Sequence, residues 1–201
     1  GRVLVTGIVA LFGTAQIAAN GVANSIDQVA VMVVNAINLA MITVVGQCIG
    51  AGEIEQSKQY TKKLMKISYI ATAIFGIGIC LTLPLILQFY ELSEDAYQYS
   101  CILIVMHNIL ASLLHPTSFN LANSLRAAGD VRFTMVVGIS SMLLFRLGSG
   151  MLFGVVLNLG VIGVWMAMGM DWMARSVAFT LRYKSGKWKT IKIINKKESL
   201  S

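Results

Sequence analysis

Thirteen of the sixteen lysines and arginines in this 201-residue chain fall into three segments, Lys58 to Lys66, Arg126 to Arg132 and Arg182 to Lys197, and the runs between them are almost free of charge. Asp27 is the one charged side chain between Val3 and Gly52, and there is none between Ile67 and Tyr90 or between Ala96 and Leu125. Two further runs, Phe133 to Val156 and Leu159 to Leu181, carry only Arg146, Asp171 and Arg175. A helix of about 20 mostly apolar residues crosses the roughly 30 Å hydrocarbon core of a bilayer, so each run is long enough to span. The expected fold is an all-α membrane protein, a polytopic helical bundle with five full spans. With 12% charged residues against about 25% in a soluble domain, a soluble core of this size is the losing alternative.

The loops set the orientation. The Lys-rich segment and the Arg126 to Arg132 turn lie two crossings apart, hence on one side, and the basic tail shares it. Positive charge marks the cytoplasmic side. The intervening turn carries only the acids Glu91, Glu94 and Asp95, as an outside loop can. The expected spans are 15–51, 64–90, 97–121, 131–156 and 159–182, preceded by a partial helix at 1–13 and followed by a basic cytoplasmic tail at 183–201. Tyr90, Tyr97, Tyr99, Tyr183 and Trp188 sit at or beyond span ends, where amphipathic rings favour the headgroup layer. Topology and attraction to anionic lipid account for the +7 balance without nucleic acid. The opening Gly1 and the short apolar stretch to Gly13 read as the outer half of a helix cut upstream.

Glycine and cysteine add packing information. Gly46 with Gly50, and Gly150 with Gly154, form G-x-x-x-G pairs, and Gly76 with Gly78 thins the second span; small residues let helix backbones approach closely in lipid. Gly52 and Gly129 read as helix ends in the left-handed conformation. Cys48, Cys80 and Cys101 lie in apolar runs with no metal spacing and read as small buried hydrophobes.

Polar residues inside the spans point to function. Asn20, Asn24, Asp27, Asn35 and Asn38 fall within an arc of about 80° on one helix, and Asp27 lies about 18 Å along it from Ala15. A carboxylate at membrane depth costs several kcal/mol, so Asp27 needs a cavity, a partner or a proton; the alternative is that the asparagines bond neighbouring helices while Asp27 sits nearer the interface. His107, Asn108, His115 and Ser118 form a second stripe of about 100°. Pro116 should kink that helix, and either histidine could relay protons or rest as a neutral, hydrogen-bonded ring. Arg146, mid-span, needs a counter-charge, with Asp27 one candidate, whereas Asp171 and Arg175 at i, i+4 can neutralise each other. No zinc-protease motif, phosphate loop, nucleophile elbow or acidic metal cluster is present, so an enzyme is disfavoured.

Three blocks carry a family resemblance. A-Q-I-A-A-N at Ala15 to Asn20 with V-V-G-Q-C-I-G-A-G at Val44 to Gly52, L-R-A-A-G-D at Leu125 to Asp130, and G-V-I-G-V-W at Gly160 to Trp165 followed by Asp171-Trp172 and Arg175 resemble, in order, the eighth and later helices of multidrug and toxic compound extrusion (MATE) transporters. The resemblance implies the C-terminal six-helix lobe of a twelve-helix exporter, its first helix truncated, working with an N-terminal lobe of the same chain. It implies antiport of cationic or amphipathic drug-like molecules against Na⁺ or H⁺, no other cofactor, and a multi-pass location in the plasma membrane with membrane lipids as neighbours. The family's eighth helix often has a mid-helix proline; Val33 to Asn38 has none. Some members carry an acid in the tenth helix; Ser100 to Leu121 has none, and Asp27 matches no family cation ligand. The pathway candidates are therefore Asn20, Asn24, Asp27, Asn35, Asn38, His107, Asn108, His115 and Arg146. The rival function is a flippase of lipid-linked oligosaccharide or a related precursor, with an embedded enzyme behind it.

Overall fold

A computed structural model describes residues 2–191. Helix α1 (Arg2–Val9) leads into α2 (Thr14–Gly50), α3 (Ile54–Gln88) and α4 (Glu94–His115); α4 continues through a π-helical turn (Pro116–Asn120) into α5 (Leu121–Ala127). The next crossing is α6 (Val131–Ser141), a π-helical segment (Met142–Gly148), α7 (Ser149–Met151) and a third π-helical turn (Leu152–Val156). Helix α8 (Gly160–Lys184) and a short 3₁₀ turn (Lys187–Thr190) close the described chain. Positions 192–201 of the basic tail, and Gly1, lie outside the described residues.

Four helical stretches among the described residues, 32–50, 54–88, 94–127 and 131–156, are long and apolar enough to cross a membrane. The protein is an all-α polytopic membrane protein. The remaining 25-residue helix, α8, packs against α4, both C-terminal π segments and the Pro116–Asn120 turn, and eleven of its residues are buried. A helix shielded in this way carries Asp171 and Arg175 without presenting them to lipid, which lowers its mean hydropathy.

Helix α3 shows how lipid inverts the usual amphipathic pattern. Ile70, Ile74, Ile77, Leu81 and Leu85 are exposed, while Ser57, Thr61, Ser68, Thr72 and Gly76 are buried. Hydrocarbon is as apolar as leucine, so contact surfaces are selected for close approach and hydrogen bonding. Thr61 bonds its own helix at Ser57 O (2.8 Å) and reaches Ser124 across the interface (2.9 Å). The helix starts ten residues before the expected span at 64, because the Lys-rich segment continues it beyond the apolar run.

The α4 start is capped by Ser93, which accepts from Ala96 N, with Glu94 and Asp95 in the first turn where the helix dipole favours acids. Gly52 and Gly129 have φ of +81° and +90°, as read from the sequence. The expected break at Pro116 is where α4 passes into the π turn. There the proline lacks an amide hydrogen, and an i→i+5 turn redistributes the freed carbonyls.

The glycine expectations divide. At Gly154 an added Cβ would lie 2.9 Å from Val164 Cγ2, and at Gly150 it would reach Ala167 Cβ at 3.9 Å, so this pair faces α8. At Gly46, Gly50 and Gly78 it would meet nothing within 4 Å, so no described helix closes on these three positions. The tightest backbone approach is at Gly163, where a Cβ would sit 2.6 Å from the Phe153 carbonyl carbon.

At the basic end, Asp130, 4% exposed, accepts two bonds from Arg182, from Nε at 2.6 Å and Nη2 at 3.2 Å. The guanidinium also lies 4.7 Å from the Phe133 ring centre. This clamp ties the start of α6 to the end of α8.

Candidate functional site

Two adjoining cavities open inside the bundle. The larger, about 390 Å³, lies between α2, the end of α4, the Met142–Gly148 segment and α8; the smaller, about 220 Å³, lies toward α1. They share Asn24, Arg146, Trp165 and Met168 as walls.

Six of the sequence candidates, Asn24, Asp27, Asn35, Asn38, His115 and Arg146, converge on the larger cavity, and Asn20 lines the smaller. His107 and Asn108 do not. They lie behind Asp27, in narrow crevices of about 30 and 10 Å³ that run toward α3. Asp27 borders both sides.

The asparagine stripe serves several contacts. Asn20 Oδ1 accepts from Trp165 Nε1 at 3.0 Å, Asn24 donates to Asn20 O at 2.7 Å, and Asn38 Oδ1 accepts from Asn123 Nδ2 at 2.9 Å. Asn108 bonds back to Ile104 O at 2.8 Å, within its own helix. The expected i, i+4 pair forms, with Arg175 Nε 2.8 Å from Asp171 Oδ1. Ser141 donates to the same carboxylate, and Arg175 Nη2 reaches Gly138 O at 3.2 Å.

Asp27 pairs across helices with His107, Oδ1 to Nε2 at 2.7 Å, with side-chain exposures of 15% and 8%. Trp165 and Trp172 stand edge-to-face with the His107 ring at 5.5 and 5.3 Å, and His115 stacks on Phe119 at 4.4 Å. The cavity wall thus combines one carboxylate, two guanidiniums, of which Arg175 is already neutralised by Asp171, and a cluster of rings and methionines. Such a surface suits a flat apolar body with a charged group, gripped by ring faces and methionine sulfur.

The aromatic half of this wall was missed in the sequence. Trp165, Met168, Trp172 and Arg175 recur at i, i+3, i+7 and i+10 and all line the larger cavity. That helical spacing was available as a signal. Asp171, one residue off this face, is wholly buried against Ser141 instead.

An internally cavitied, multi-span helical bundle of this kind defines a class of membrane protein, and the comparisons place the chain within it. The MatE family model matches residues 2–152. The chain belongs to the MatE family. It is 24% identical over 189 residues to an uncharacterized transporter, YisQ, of Bacillus subtilis (strain 168), covering 93% of this chain and 41% of that one. Its fold superposes with a TM-score of 0.82, at 17% identity, on an outward-facing multidrug resistance MATE family transporter of the MOP superfamily, covering 94% of this chain and 43% of the other. The chain therefore spans less than half the length of the proteins it matches.

Proposed function

We propose that this chain forms one lobe of a secondary active exporter, in which cationic or amphipathic small molecules leave the cell in exchange for Na⁺ or H⁺. The observation carrying this reading is the larger of the two adjoining cavities, whose wall combines Asp27 with rings and methionines. At about 390 Å³ with a 220 Å³ annex, its size falls within the range of drug-sized ligand sites, about 300–1,000 Å³. In this reading the lobe is the C-terminal one. It works against an N-terminal lobe in the plasma membrane, with the basic end cytoplasmic, and alternating access exposes the midplane site to each side in turn. Its partners are drug-like molecules, membrane lipids and the second lobe, not nucleic acid.

The test is efflux of a fluorescent cationic dye from cells lacking their own exporters and expressing the full-length protein, with the Na⁺ and proton gradients collapsed one at a time. Efflux that stops with one gradient names the coupling ion, and Asp27→Asn should reduce it at unchanged membrane expression. Absence of efflux from well-folded, inserted protein would sink the reading.

A further inference from the structure

We propose that the basic end of the bundle carries a binding site for an anionic phospholipid, whose headgroup phosphate is held by Lys58, Lys62 and Lys189. The inference does not depend on the exporter reading, and none of these lysines lines the cavities described above.

The chain bends back after α8 to bring Lys189 to this place. Gly186 takes φ of +70°, and the 3₁₀ turn that follows buries Trp188 among Leu121, Ala122, Leu125 and Phe179. The Trp188 indole donates to Tyr183 O at 3.0 Å, and its ring stacks on that of Tyr183 at 5.2 Å. Lys189 curls over the turn, its Nζ 5.9 Å from the Trp188 ring centre and 3.5 Å from where a Cβ on Gly186 would stand. A buried ring therefore positions this ammonium, as it would not on a free tail.

What Lys189 meets there is like charge. It lies beside Lys58, and Glu55 is within electrostatic reach of Lys58, Lys62 and Lys189 together. Glu55 is already paired with Lys58 and its side chain is 77% exposed, so one solvated carboxylate faces three ammoniums. Ammoniums gathered in this way repel one another, and an anion seated among them turns the repulsion into attraction. On α3, Lys58, Lys62 and Lys66 fall within an arc of about 80°, along the edge of the face that carries the exposed Ile70, Ile74 and Ile77. A phosphate held at the lysines thus continues into acyl chains lying on the isoleucines, which is the form of a phospholipid rather than of a free phosphate. The excess of positive charge selects a headgroup of net negative charge, since a choline would bring a further cation to the same place.

The experiment is thermal unfolding of the full-length protein in detergent, with dioleoyl phosphatidylglycerol, dioleoyl phosphatidylcholine or soluble glycerol phosphate added at equal concentration. A ligand that binds the folded form raises the melting point. The quantity read is the excess of the phosphatidylglycerol shift over the phosphatidylcholine shift within each variant, so that a variant's own stability cancels. The expected result is a shift with phosphatidylglycerol at least twice that with phosphatidylcholine, and little with glycerol phosphate. The excess should fall by more than half in the Lys58→Gln/Lys189→Gln double variant and persist in Lys63→Gln/Arg132→Gln, which removes the same charge from exposed positions outside the cluster. Equal shifts with the two lipids, or an excess that the first double variant leaves intact, overturn the site. An equal loss in both double variants reduces it to general attraction of a basic surface for anionic lipid, and a glycerol phosphate shift as large as that of phosphatidylglycerol makes it a site for free phosphate; either result overturns the proposal.

Discussion

Gly163→Ala is the sharpest structural test, because its cost can be worked from the backbone alone. An added Cβ would lie 2.6 Å from Phe153 C, 2.7 Å from Phe153 O and 2.8 Å from Gly154 N. Ordinary contact begins near 3.4 Å, and every obstructing atom is main chain, so no rotamer change relieves the clash. Helix α8 must part from the Leu152–Val156 turn by roughly 0.8 Å, which forfeits a large part of the contact energy along that seam. Overpacking of this kind costs about 1–3 kcal/mol, here at the upper end, against about 1 kcal/mol gained from replacing glycine by alanine in a helix. The net destabilisation is about 2 kcal/mol, or about 4–8 °C for a domain of this size. Gly46→Ala is the internal control, since its Cβ would meet nothing within 4 Å and only the propensity gain remains. The assay is thermal unfolding of both variants in detergent, followed by loss of the monodisperse species. A Gly163→Ala melting point at or above wild type would refute the reasoning.

Asp130→Ala removes the acid that accepts both Arg182 bonds. Because the Arg182 side chain keeps 22% of its surface exposed, the expected loss is about 1–2 kcal/mol, below the ~3–5 of a fully buried pair, and should show as a lower melting point that high salt narrows. Asp171→Ala should cost more, about 3 kcal/mol, since the acid is 0% exposed and its removal leaves Arg175 only the Gly138 carbonyl and Ser141 only the main-chain carbonyl of residue 171 as acceptors; thermal unfolding checks it, and near-wild-type stability would refute it. Asn20→Ala leaves the Trp165 indole N–H without its acceptor at 3.0 Å, and should red-shift or broaden tryptophan emission while lowering dye affinity more than expression.

Much of the fold was legible because charge placement is a one-dimensional signal. A run such as 67–90 needs no knowledge of its neighbours to be recognised as a membrane crossing. Contacts within one helix were equally legible: Asp171 and Arg175 are four residues apart and meet. What escaped required a second helix. The two stripes pointed to Asp27 and to His107 separately, but nothing in periodicity says that α2 and α4 turn these faces to each other. Gly46–Gly50 and Gly150–Gly154 look alike as letters, yet only the second pair has α8 across from it. The π-helical segments were the least legible feature. They add a residue per turn and rotate everything after them, so a 100° arithmetic applied through Met142–Gly148 assigns faces to the wrong neighbours.

The position of α8 at the end of the described chain sets a timetable for assembly. It supplies the Val161 amide bonded by Gln16 and the Trp165 indole bonded by Asn20, each across 145 residues, and the Arg182 that binds Asp130 across 52. At about 5–20 residues per second of synthesis, α2 waits roughly 7–30 s in the membrane before these partners emerge. The stretch matched by the family model, 2–152, ends before α8 begins. A chain halted there would hold the first wall of the cavity with Asn38 and Asp27 already partnered and Gln16 and Asn20 still waiting for α8.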